Sequence, residues 1–327
     1  MSSLDVDLFP IFVKQGRSHT RYKVGYINRH GDIVIDAEFD YGGRFTDGLA
    51  VVRVRQKWGV IDKEGTVVVR PKFLGASRFQ EGLAPACLQS LQWGFIDSSG
   101  EFRIPPQFAC VGEFSEGVAW VRNRSDKHGF VDSSGALITA MIYDLAHEHS
   151  EGLAAVKLGD LWGYIDLTGS MAISPRFSGR VAGAFSEKLA RVLIGDSFAF
   201  IDASGKVLIE PRFPFALEFS EGMALVGNSF EKMAGYIDHQ GNLAIRLRNC
   251  GHAGSFSEGL AVAKQGSTKM GFMNHEGEFV IPPRFLLAEP FYRGLAFVVT
   301  EDSVGYIDKT GEYVWQGPYV ETGILWP

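Results

Sequence analysis

Short apolar runs, punctuated by glycine and proline, fill this chain from one end to the other. Residues 82 to 117 show the pattern. Gly82-Leu-Ala-Pro-Ala-Cys-Leu88 is one apolar stretch, Gln92-Trp-Gly-Phe-Ile-Asp97 a second, and Glu101-Phe-Arg-Ile-Pro-Pro-Gln-Phe108 a third. Runs of this length, rich in β-branched and aromatic residues and bounded by turn residues, predict β-strands. A variable hairpin at Gln89-Ser-Leu91 joins the first two, and the tight turn Asp97-Ser-Ser-Gly100 joins the second to the third.

The same arrangement recurs with a period of about 35 residues, the mark of a repeat architecture. The Trp162-Gly-Tyr-Ile-Asp-Leu-Thr-Gly169 stretch has counterparts beginning at Val24, Trp58, Trp93, His128, Phe198, Ala234, Met270 and Val304. Each ends in a glycine: Gly31, Gly65, Gly100, Gly135, Gly169, Gly205, Gly241, Gly277 and Gly311. Cut at the Gly-Leu-Ala strand, the units run 8–47, 48–81, 82–116, 117–151, 152–187, 188–221, 222–258, 259–293 and 294–319, with a tail over 320–327. No linker or charge block divides them, so residues 1–327 read as a single repeat domain.

An Asp-x-x-Gly sequence between apolar strands predicts a type I turn closed by a glycine at positive φ. The acid at its start accepts hydrogen bonds from the turn amides ahead of it. Asp62, Asp97, Asp132, Asp166, Asp202, Asp238 and Asp308 are therefore read, with the nine glycines, as structural turn residues. Pro-x-Phe closes the third stretch at Pro71/Phe73, Pro106/Phe108, Pro175/Phe177, Pro211/Phe213 and Pro283/Phe285, and a proline belongs at a strand end or edge. The connection to the next unit carries an aromatic at Phe45, Phe79, Phe114, Phe185, Phe219, Phe256 and Phe291, predicting one buried ring per repeat. The short segment before that ring is expected to add a fourth, outer strand.

Composition narrows the function. Hydrophobic content of 46% and aromatic content of 13% supply a continuous core, while a formal charge of −6 argues against nucleic acid as a partner. The three cysteines, Cys87, Cys110 and Cys250, are widely spaced and form no disulfide framework. No secretory leader and no membrane-spanning run is evident, so a soluble, cytoplasmic protein is expected, with signal-less export the alternative.

Candidate chemistry is sparse. His147-Glu-His149 could present two metal ligands, but His149 stands at the aromatic position and reads as a packing ring. Cys250-Gly-His252 lacks a second pair. The repeated aspartates come singly in their turns and so are not read as calcium ligands. Glu81, Glu116, Glu151, Glu187, Glu221 and Glu258 read as loop caps or solvated acids. Neither a nucleophile elbow nor a phosphate-binding glycine loop occurs. The reading is no catalytic residue, no metal and no cofactor.

Trp-Gly-Tyr-Ile-Asp-x-x-Gly, followed by Ile-x-Pro-x-Phe and Phe-Ser-Glu-Gly-Leu-Ala-x-Val, resembles the WG (or KWG) repeat over about Leu8 to Tyr319, in nine copies. The resemblance implies a bacterial-type, all-β array of three to four short antiparallel strands per unit, and a β-propeller-like toroid; it brings no catalytic residues. An open superhelical array is the alternative fold, since nine blades exceed the usual four to eight. The tryptophan itself stands only at Trp58, Trp93 and Trp162.

Function is expected to reside in a non-enzymatic scaffold that binds a protein or peptide through loops on one edge. The longest hairpin, Gly227 to Met233, offers Asn228, Phe230 and Lys232 as partner-binding residues. A carbohydrate-binding module is the alternative, because exposed rings suit sugar faces. An enzyme with a site in a central channel comes third.

Overall fold

A computed structural model describes residues 7–14, 22–88, 92–229, 232–248, 250–266 and 268–318; for 232–234, 250 and 265 it describes only the backbone. The fold is all-β. Strands among the described residues assemble into nine small antiparallel sheets, each a propeller-type meander of three or four strands taken in chain order. The chain divides into two compact units, one running to Glu148 and the other starting at His149.

The second sheet shows why these residues form blades. Tyr41–Gly42, Leu49–Val54, Lys57–Asp62 and Val67–Phe73 pair consecutively, with Ala50 opposite Ile61 and Val51 opposite Val60. Side chains alternate between the two faces of a strand. One face sends Ala50, Val52 and Ile61 into a core with Tyr26, Ile35 and Phe45. The other sends Val60, Val69 and Phe73 into a core with Phe79, Ala84 and Ile96. Because both faces are covered by neighbouring sheets, the strands read as apolar runs instead of alternating apolar and polar residues. In the second unit the clusters around Trp162 and Phe185, around Phe200 and Phe219, around Tyr236 and Phe256, and around Phe272 and Phe291 repeat this arrangement.

The glycine of Trp-Gly is required by a close approach. Register slips between Trp58 and Val60, where the edge strand presses inward. A Cβ on Gly59 would stand 2.6 Å from the Val69 carbonyl oxygen, and one on Gly94 would stand 2.3 Å from that of Ile104. The connection ring fills the space between sheets, meeting the aromatic of the preceding blade edge-on: Tyr26 to Phe45 at 5.0 Å, Phe95 to Phe114 at 4.8 Å, Tyr164 to Phe185 at 5.1 Å.

One expectation is corrected. The short segment before the ring does not add an outer strand to its own unit. Tyr41–Gly42 pairs with Leu49–Val54, and Cys110–Val111 with Val118–Arg122, so each opens the sheet that follows. Sheets accordingly begin at Tyr41, Gly75 and Cys110 and not at Gly48, Gly82 and Gly117. The reason is local. Thr46-Asp-Gly-Leu49 forms a tight turn with both central residues at positive φ, Asp47 at 51° and Gly48 at 77°, and folds the short segment straight onto the next strand.

Candidate binding site

Turn residues account for many of the repeated polar atoms. All nine turn glycines, Gly31, Gly65, Gly100, Gly135, Gly169, Gly205, Gly241, Gly277 and Gly311, have φ between 79° and 89°. The carboxylate of Asp97 accepts from the Ser99 amide at 2.9 Å and the Ser99 hydroxyl at 2.5 Å. Asp62, Asp132, Asp166, Asp202, Asp238 and Asp308 accept from turn amides in the same way. The neighbouring hydroxyl is the main influence holding Asp97 and Asp202 below the usual carboxylate range; burial works against it. A carboxylate committed to its own turn in this way has an architectural role.

The repeated glutamates are also committed, and sequence reasoning missed how. Glu81 accepts the amides of Glu116 and Gly117 at 2.7 and 2.8 Å, one repeat onward. Glu151 takes those of Glu187 and Lys188, Glu221 that of Gly259, and Glu258 that of Gly294. Asp47 does the same for Gly82. Each acid thus caps the tight turn of the next sheet instead of its own. The serine before it also reaches forward: Ser186 Oγ donates to the Phe219 carbonyl at 2.8 Å and Ser220 Oγ to that of Phe256 at 2.7 Å. Within Pro-Arg-Phe, Arg176, Arg212 and Arg284 donate to the turn carbonyls of Gly205, Gly241 and Gly311. Phe-Ser-Glu-Gly and Pro-Arg-Phe are therefore two sets of latches between successive blades.

Other sites singled out from the sequence fall apart into separate roles. His149 is buried at the ring position with Nε2 3.3 Å from the Asp166 carbonyl oxygen. His147 is half-buried, and the side chain of Cys250 lies outside the described residues. Among the described residues, no three His, Cys, Asp or Glu side chains gather as a metal site. The Gly227–Met233 insertion is largely absorbed into a longer hairpin, since Ser229 pairs with Lys232. Asn228 is exposed on it, while Phe230 and the Lys232 side chain lie outside the described residues.

The repeat leaves a socket open within the compact unit that runs to Glu148. It encloses about 390 Å³ and is lined by Tyr41, Arg44, Val51, Trp58, Arg78 and Glu113, with Gly43, Ala76 and Ser77 between them. The Tyr41 and Trp58 rings meet edge-on at 5.0 Å, and the Arg53 guanidinium stands 5.6 Å from the Trp58 ring. Burial pushes the Tyr41 phenol up, opposed by Arg53. Glu113 holds Ser77 Oγ at 2.7 Å and Arg78 Nε at 2.6 Å. A shallower depression of about 720 Å³ lies on the last sheet, where Arg284 is latched to Gly311 and Ser303 is bonded to Thr300 and Gln316. The socket's residues vary from repeat to repeat. That variation is visible in the sequence once the repeats are aligned at the connection ring, where Arg44, Arg78, Glu113, Glu148, Ala184 and Glu218 share one position.

The model of the WG containing repeat matches 25–58, 58–90, 93–125, 129–162, 162–197, 198–228, 235–268 and 270–302. The chain belongs to the WG-containing repeat family. Each of the eight matched spans begins within a turn motif and runs towards the next; the ninth motif, from Val304 to Gly311, follows the last of them. Among solved structures, this WG-repeat chain is similar to a crystal structure of the eukaryotic initiation factor, with a TM-score of 0.65 at 10% identity over 97% of each chain. The computationally designed Ika8 protein gives a TM-score of 0.51 at 11% identity, over 84% of this chain and 96% of its own. At such identities the likeness is one of fold. No curated protein matches the chain. No helix of the described residues is long and apolar enough to cross a membrane.

Proposed function

We propose that this WG-repeat chain is a non-enzymatic binding scaffold for a protein or peptide. The observation that carries the reading is how the polar residues are divided. Those repeated in every unit are spent on turn caps and blade latches, as Asp97 and Glu81 are. Those that vary from unit to unit line the socket over Trp58. A concave, aromatic-floored surface lined by residues that differ from repeat to repeat is suited to recognition.

Carbohydrate binding is the second reading, favoured by the half-buried Trp58 indole at the base of that socket. A peptide library displayed against the immobilised chain separates the two. Enrichment of a sequence by the wild type, lost with Trp58→Ala, supports the scaffold. A library that yields nothing, beside a glycan array that yields a Trp58-dependent signal, replaces it with the carbohydrate reading.

A further inference from the structure

The second and sixth sheets place different residues at one position of the repeat. Val51 stands opposite Val60, and Arg191 stands opposite Phe200. Each passes its carbonyl to the glycine at the start of the connection: Gly43 N–H donates to Val51 O, and Gly183 N–H to Arg191 O, both at 2.9 Å. Trp58 corresponds to Phe198 as the ring beneath.

In the sixth sheet this place is full. The Arg191 guanidinium lies 5.2 Å from the Phe198 ring centre, its Nε donates to Glu218 at 2.8 Å, and its Nη1 donates to the Ala216 carbonyl at 2.7 Å. A Cβ added to Gly183 would stand 2.7 Å from Arg191 Cγ. The fourth sheet fills the same place with an indole, since a Cβ on Gly112 would stand 2.2 Å from Trp120 Nε1. In the second sheet Val51 is too short to reach across. A Cβ on Gly43 would find only the Val51 carbonyl oxygen, at 3.6 Å. The socket over Trp58 is this unfilled place.

Its charges also differ, with Arg44 and Arg78 beside Glu113 where the sixth sheet has Arg191 and Glu218. Glu218, the partner of Arg191, stands immediately before a connection ring; the corresponding residue bordering the Trp58 socket is Arg78. Arg44 lines the same space. Arg78 gives its Nε to Glu113, and among the described residues its two terminal nitrogens donate to no other group. A guanidinium with its terminal nitrogens available is suited to a carboxylate, whose two oxygens match the planar fork.

We infer that the socket over Trp58 takes a carboxylate presented by a partner, a peptide glutamate whose methylenes lie on the indole and whose oxygens meet the terminal nitrogens of Arg78. The inference rests on the scaffold reading and names what that scaffold recognises. The side chain of a glutamate occupies the place of Arg191 with its polarity inverted.

The test uses the full chain and N-acetyl-glutamate-N-methylamide, with its glutamine counterpart as the neutral isostere. Binding is followed at the Trp58 indole N–H resonance, assigned by its loss in Trp58→Phe. A saturable shift is expected for the glutamate probe, with the glutamine probe at least about ten-fold weaker, equivalent to about 1.4 kcal/mol. Gly43→Val, which narrows the socket, and Arg78→Gln, on an exposed side chain with little bearing on folding, should each weaken the shift. Equal binding of the two probes, no shift with either, or an unaltered shift in Arg78→Gln overturns the inference. The scaffold reading fails separately. A library peptide captured equally by wild type and Arg78→Gln overturns the carboxylate and keeps the scaffold. A glutamate-selective shift with no captured peptide keeps the carboxylate and overturns the peptide scaffold.

Discussion

Both carboxylate oxygens of Glu187 lie 3.0 Å from the backbone nitrogen of Gly222, thirty-five residues further along the chain. Glu187 itself sits at φ 55°, a conformation that ordinarily favours glycine. The contact it makes in the next sheet explains why an acid, instead of glycine or asparagine, holds that place. A charge-assisted bond to an otherwise unsatisfied amide outweighs the modest strain of the left-handed backbone. His239 Nε2 also lies 2.8 Å from the same carboxylate and belongs to the same later sheet.

Removing the latch and removing the strain are separable. Glu187→Ala keeps the left-handed residue and loses the bonds, so it should destabilise the chain by about 1–2 kcal/mol. Glu187→Gly loses the same bonds but relaxes the backbone, and should recover about 1 kcal/mol of that deficit. Urea unfolding of both variants checks the order; an alanine variant as stable as the wild type would show that the latch contributes nothing.

The turn glycines divide by their surroundings. Gly100 has φ 80°, and a Cβ there would stand 2.5 Å from Val69 Cγ1 of the preceding sheet. Gly82, at φ 79°, has nothing within 4 Å of that point. Gly82→Ala should therefore cost about 1 kcal/mol from conformation alone. Gly100→Ala should cost more, and Gly100→Val more again, with part of the loss restored by Val69→Ala. Melting temperatures of the four variants settle it, and equal losses at Gly82 and Gly100 count against the inter-sheet contact.

Arg212 bonds to the Gly241 carbonyl, and its guanidinium lies 5.0 Å from the Phe213 ring. Arg212→Lys retains the charge but not the planar reach, and should lose about 1 kcal/mol at this latch. Arg212→Met retains packing over the ring and should lose a similar amount. If lysine alone preserved wild-type stability, charge rather than the directed bond would be what matters.

Two kinds of group weaken the fold on acidification, in different windows. Burial depresses the His128 pKa below 6.5, and its Nδ1 is enclosed without a hydrogen-bond partner. As pH falls below that value, the unfolded chain takes a proton that folded His128 resists, so stability declines. His128→Phe should flatten this part of the profile. The depressed turn aspartates, Asp97 and Asp202 among them, act lower: their contribution is complete above the ordinary value of 3.8 and is lost as pH falls through their lower folded values. Denaturant midpoints between pH 3 and 7 test both, and an unchanged slope in His128→Phe would remove histidine from the account.

The repeat itself carried much of the architecture into view. An Asp-x-x-Gly spacing written at every turn dictates its own backbone, because Gly100 must take positive φ and Asp97 reaches only amides within four residues. The connection rings were equally legible, since a ring recurring at Phe114 and Phe185 has no reason to recur on a solvated surface. These are short-range constraints, settled within a few residues of chain. The latches were not legible. Glu81 and Gly117 lie thirty-six residues apart, and nothing in either residue's neighbours states that one sheet's acid caps the next sheet's turn. Which sheet the short strand joins is hidden for a related reason: Tyr41 is free by sequence to pair backward or forward, and a turn with φ positive at Asp47 and Gly48 sends it forward. The socket depended most on tertiary structure. The sequence alone gives Val51, Trp58 and Arg78 as three ordinary residues of one repeat, and Glu113 as a residue of the next. Only packing of adjacent sheets leaves about 390 Å³ open above the indole. Local hydrogen bonding and conformational preference determine a blade from its own sequence. Where two blades meet, shape and charge are set by residues a whole repeat apart, and only the folded chain brings them together.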